Sequence, residues 1–255
     1  MKTNHDSELR LAIEFCREVI SSGEDILGQL SIKSGEHFKL LMASKVLRAR
    51  ALFLGAINLA ELKLTSPASA LIRCMMEVKF VAVALSINRD WAQDLIEADE
   101  SHRARAMRRL LALPEEHRAA NVKTDVIQEQ LNSIFLGGRG VSVADWAKRA
   151  KCEDEYQLAY MLLSEDVHAS LRGSEAHLVL NEQGKACGLS AYPEVDALPF
   201  RLMHACDTYL TILSALPDGV IGADGMKKLQ SLFADDRKLG IGQRALREVE
   251  RRDLR

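Results

Sequence analysis

The stretch from Ser66 to Leu85, Ser-Pro-Ala-Ser-Ala-Leu-Ile-Arg-Cys-Met-Met-Glu-Val-Lys-Phe-Val-Ala-Val-Ala-Leu, constrains the fold more than any other. Pro67, just after Thr65-Ser66, suits a helix start, because proline fixes φ and lacks a donor that the first turn does not need. Almost every later position is apolar on all sides of a helix, so the segment is expected to run through the middle of a bundle. Into it the chain sets Arg73 and Glu77, one turn apart and about 40° from each other around the axis. A charge buried alone costs several kcal/mol, so these two are expected to meet each other and polar groups from another helix.

The flanking sequence predicts further helices. Leu9, Ile13, Val19, Ile20, Ile26, Leu27 and Leu30 give Ser7 to Leu30 an apolar stripe, with a break expected near Ser21-Ser22-Gly23. A second helix starts near Ser34-Gly35-Glu36 and reaches Lys63, and the tight turn before Pro67 predicts antiparallel packing. Asp90 to Leu113 reads as a charged helix, and Pro-Glu-Glu after it opens another toward Phe135. Leu136 to Gly140 is a loop by composition, followed by a short helix from Val143 to Ala150 with Trp146 as its anchor. From Asp154 a helix runs to Arg172, where Gly173 is a natural stop. Along it Tyr156, Tyr160, Ser164 and His168 recur at i+4 steps and make a polar stripe, while Leu158, Met161 and Leu162 supply apolar surface. His177 to Tyr192 reads as two short strands around a turn, and helix resumes from Pro193 to Leu216. The fold class is therefore all-α: a bundle of about seven to nine helices with a small β-hairpin insert near the C-terminal third. Residues 1–217 form a single domain in this reading, and 218–255 a flexible segment ending in a basic helix.

Composition excludes several classes. With a net charge of -2 the chain is no global polycation, so any contact with RNA rests on local basic patches such as Arg103, Arg105, Arg108 and Arg109. Their other reading is a solvated helix face, since Glu97, Asp99 and Glu100 lie close by. The polar N-terminus lacks an apolar signal core and no run is long enough to cross a bilayer, which points to the cytoplasm. The five cysteines contain no C-x-x-C pair and read as reduced structural thiols. No cofactor motif is present. A metal at Glu77 and His168, with Glu165 or Asp166, lacks the usual ligand spacing of helical metal sites.

The candidate catalytic residues are Arg73, Glu77, Ser164 and His168. If the two helices face one another, Arg73 pairs with Glu77, the carboxylate orients the His168 imidazole, and Ser164 lies one turn away. Carboxylate, imidazole and hydroxyl in one pocket are the parts of general acid–base chemistry. The same residues, fully hydrogen-bonded, would instead fix the register of the bundle.

The segments Ala70-Leu-Ile-Arg-Cys-Met-Met-Glu77 and Tyr160-Met-Leu-Leu-Ser-Glu-Asp-Val-His168 resemble the two signatures of the DUF5677 family of prokaryotic helical proteins. The resemblance runs from about Leu40 to Leu216 and carries over Arg73, Glu77, Ser164 and His168 as the positions to watch. It implies a helical fold and no particular activity. Arg172-Gly-Ser-Glu-Ala-His177 is similar to the Arg-and-His mark of HEPN-type helical ribonucleases, although Gly173 is expected to end the helix that the mark occupies there. Two functions follow. One is a HEPN-like hydrolase or ribonuclease in stress or phage defence, with His168 as general acid or base and Arg73 neutralising phosphate. The other is a non-catalytic binding or regulatory module, homo-oligomeric through its apolar helices.

Overall fold

A computed structural model describes residues 2–118, 123–134, 140–165, 174–175, 177–191 and 195–235. The elements are helical, with one antiparallel hairpin. Helix α1 spans Lys2–Gly28, α2 His37–Glu61 and α3 Thr65–Ile87. A 3-10 turn at Arg89–Trp91 leads into α4, Ala92–Ala112, which is followed by α5, Thr124–Ser133, and α6, Val143–Arg149. Next comes one nearly continuous helical segment: α7 (Glu153–Glu155), a π-helical turn (Tyr156–Tyr160) and α8 (Met161–Glu165). Strands β1 (Leu178–Leu180) and β2 (Ala186–Leu189) form the hairpin, pairing Leu178 with Leu189. Helices α9 (Leu198–Ser214) and α10 (Ala223–Phe233) complete the described chain.

Helix α3 is the axis, as its all-round apolar sequence requires. Ile72, Met75, Met76, Phe80, Ala82, Ala84 and Leu85 are fully out of water, against α2 on one side and α9 on another. The turn that folds α3 back along α2 is a Schellman motif: the Lys63 N–H donates to the Ala60 carbonyl and the Leu64 N–H to that of Leu59. Lys63 holds φ at 58°, where glycine is usual. Lys151 repeats the device at the end of α6, with φ again at 58° and the Cys152 N–H bonded to the Ala147 carbonyl. That second turn delivers α7 and α8 onto α3.

The structure departs from expectation at three places. Helix α1 passes through Ser21-Ser22-Gly23 without a break. Gly23 is there for close approach instead: a Cβ on it would lie 2.5 Å from the Tyr209 hydroxyl of α9. The helix expected from Pro114 to Phe135 is a 3-10 turn at Glu115–His117 and then α5, because Arg118 folds back onto the carbonyls of Leu111 and Leu113 and closes α4. Leu158, Met161 and Leu162 point outward, at 67%, 46% and 59% exposure. The inward face of that segment is taken by Tyr160, Leu163 and Ser164, with Tyr156 and Ala159 packed alongside. Beyond α9, Val220, Leu229 and Leu232 are buried in the same core, and Lys228 of α10 meets Asp25 of α1 at 2.5 Å. The basic end from Lys238 to Arg255 lies outside the described residues.

Candidate functional site

On α3, Arg73 and Glu77 share a face, as their i,i+4 spacing dictates, with Nη2 and Oε1 3.5 Å apart. Both are half-buried rather than buried, with side chains 21% and 37% exposed. What joins them is Tyr160, supplied by the π turn. Arg73 Nη2 donates to the Tyr160 hydroxyl at 2.8 Å, and that hydroxyl donates to Glu77 Oε1 at 3.0 Å. The guanidinium carbon also stands 5.0 Å from the centroid of the tyrosine ring. Tyr156 stacks on Tyr160 at 5.1 Å, and Phe80 meets both rings edge-on. Burial is the largest influence on the phenol and raises its pKa; the Arg73 hydrogen bond lowers it, and the Glu77 bond raises it again. Tyr160 is therefore a neutral phenol that can accept from one charge and donate to the other.

Ser164 is one turn further along α8 and buried. Its hydroxyl donates to the Tyr160 carbonyl of its own helix at 2.7 Å, the usual resting bond of a serine inside a helix. His168 falls outside the described residues, as do Asp166 and Arg172. His177 is exposed at the base of the hairpin, its Nδ1 2.9 Å from the Ser190 carbonyl. The structure thus joins Arg73 to Glu77 through Tyr160, and places Ser164 one turn further along the tyrosine-bearing helix, bonded to its own backbone.

A second polar contact lies two residues along α3. Lys79 is buried, its side chain 8% exposed, and its ammonium meets Glu155 of α7 at 2.5 Å. In the sequence Lys79 simply interrupts the apolar run of α3. Its partner lies 76 positions away, and no local spacing links the two. Lys79 and Glu155 line a cleft of about 570 Å³ with Val83, Lys151, Cys152 and Thr211 among its other walls. Burial raises the pKa of the Cys152 thiol, so it rests as the neutral thiol. On α9, His204 sets Nε2 3.3 Å from Met76 Sδ. Burial pushes this imidazole below its ordinary value, a drop that Glu155 and Asp207 oppose and Lys79 reinforces. Among the described residues no group of three or more His, Cys, Asp or Glu side chains gathers as a metal site would require. No described helix is long and apolar enough to cross a membrane.

The family model described as a family of unknown function, DUF5677, matches residues 39–186. The chain belongs to the DUF5677 family. Within this DUF5677 chain the match takes in α2 to α8 and the start of the hairpin, and so all of Arg73, Glu77, Lys79, Glu155, Tyr160 and Ser164. His204 and the rest of α9 lie beyond it. No curated protein and no solved structure matches the chain.

Proposed function

We propose that this protein is a non-catalytic helical binding or regulatory module, in which Arg73, Glu77, Tyr160 and Ser164 fix how α7 and α8 sit on α3. One observation carries this reading: the Tyr160 hydroxyl bonds both members of the Arg73–Glu77 pair, accepting from the guanidinium and donating to the carboxylate beside their own 3.5 Å contact. A phenol so placed ties both charges that an acid–base site would use into one hydrogen-bonded triangle. The Ser164 hydroxyl, turned to its own backbone, gives further support. Self-association belongs to the same reading and draws on Leu40, Leu47 and Leu54, exposed at heptad steps on the outward side of α2. The test is Tyr160→Phe, which keeps the ring and removes the bridge. It is expected to cost about 1–2 kcal/mol of stability and to leave any RNA cleavage by the purified protein unchanged. A variant as stable as the parent ends the packing role.

The second reading, a HEPN-like hydrolase or ribonuclease of stress or phage defence, keeps one supporting observation. Both charges retain contact with solvent, so a phosphate could reach Arg73. In that reading Arg73 neutralises the phosphate, Glu77 and Ser164 orient, and His168 exchanges the proton. RNA cleavage by the purified protein that disappears in His168→Ala, with the melting temperature kept, would favour it over the module.

A further inference from the structure

Cys16 of α1 and Cys206 of α9 are both at zero exposure, and their sulfurs are 3.3 Å apart. Cys16 Sγ also points at the Leu202 carbonyl, 3.7 Å away and one turn before Cys206 on α9. The residues are 190 positions apart in the chain, so the contact is made by the fold and not by local sequence. Helices α1 and α9 pack directly on each other around this point, where Ala12, Val19, Leu202 and Tyr209 are also fully buried. Two thiols held so near on facing helices need the sulfurs to close by only about 1 Å to reach bonding distance.

We propose that Cys16 and Cys206 are a latent disulfide, formed by exchange with a small disulfide oxidant and fastening α1 to α9. The reaction takes two steps. One cysteine thiolate attacks a sulfur of the oxidant, forming a mixed disulfide and releasing the oxidant's first thiol. The second cysteine thiolate then attacks the protein sulfur of that mixed disulfide, forming the Cys16–Cys206 bond and releasing the second thiol. Two protein thiols are oxidised, one oxidant disulfide is reduced to two thiols, and the two cysteine protons end on them. The close-packed core has no room for the mixed disulfide, so the first step occurs while α1 is opened from the bundle. Reclosure brings the second sulfur to the first and expels the small thiol.

The probe is oxidised glutathione, applied to the full chain carrying Cys187→Ser, which removes the exposed thiol. Incubation in native buffer, just below the onset of melting, is expected to lower the intact mass by two hydrogens. Peptide mapping should join Cys16 to Cys206. The melting temperature should rise by on the order of 10 °C, because the bond closes a loop spanning most of the chain, and dithiothreitol should reverse the rise. Adding Cys206→Ala should abolish the mass change, and Cys16→Ala should do the same. If either variant fails to fold, the peptide map of the parent decides alone. Two thiols that stay reduced through the incubation, or a bridge between any other pair, would overturn the proposal.

Discussion

Lys79 and Glu155 offer a stability test that separates a buried charge from a buried pair. Glu155→Ala leaves the Lys79 ammonium inside the apolar face of α3 with 8% of its side chain exposed. Breaking a fully buried pair from one side costs about 3–5 kcal/mol. Here the glutamate is 28% exposed, and the vacated space opens toward the 570 Å³ cleft, so water can reach the stranded ammonium. The expected loss is therefore below that range, about 2–3 kcal/mol, or on the order of 5–10 °C in melting temperature. Lys79→Met removes the charge itself and keeps most of the volume, while Glu155 can turn to solvent. It is expected to cost under about 1 kcal/mol. Urea unfolding of the two variants measures both numbers. The order is the test: if Lys79→Met destabilises more than Glu155→Ala, the pair contributes net stability and the account of a costly, compensated burial is wrong.

Gly23→Ala should lose about 1–3 kcal/mol in thermal melts, since its methyl would strike the Tyr209 hydroxyl, and adding Tyr209→Phe should restore part of that loss. Tyr209→Phe alone should be neutral or stabilising, because the buried hydroxyl has no hydrogen-bond partner among the described residues; a large loss would show that it has one. His204 has a folded pKa below its ordinary 6.5, so between the two values the unfolded chain binds the extra proton. Stability should therefore be complete above pH 6.5 and decline as pH falls below it, and His204→Phe should flatten that decline in melts taken across the range. Leu47→Glu on α2 should shift any self-associated species toward monomer in light scattering and leave the melt of the monomer within about 0.5 kcal/mol.

The central helix was readable from the residues because a sequence apolar on every side has only one place to go. The pairing of Arg73 with Glu77 followed from their spacing on it. The hairpin was legible from alternating short runs around Glu182-Gln183-Gly184. Three features were not. The polar stripe of Tyr160 and Ser164 was expected to face Arg73 and Glu77, but not that Tyr160 would bridge the two charges or that Leu158, Met161 and Leu162 would be left in water. That arrangement depends on Arg73 and Glu77 waiting on α3, and on a π turn that no local pattern announces. Lys79 could not be matched to Glu155, nor Cys16 to Cys206, because nothing in the sequence records which helices become neighbours. Gly23 looked like a helix break because glycine is also what a helix needs where a tyrosine crosses it closely.

The Arg73–Tyr160–Glu77 bridge is tested most directly by a double-mutant cycle in unfolding free energy, built from Tyr160→Phe and Glu77→Gln. A shared hydrogen bond makes the two losses overlap, and a coupling of about 0.5–1.5 kcal/mol is predicted. Strict additivity would mean that the phenol and the carboxylate do not act together, and the packing account of this site would not stand.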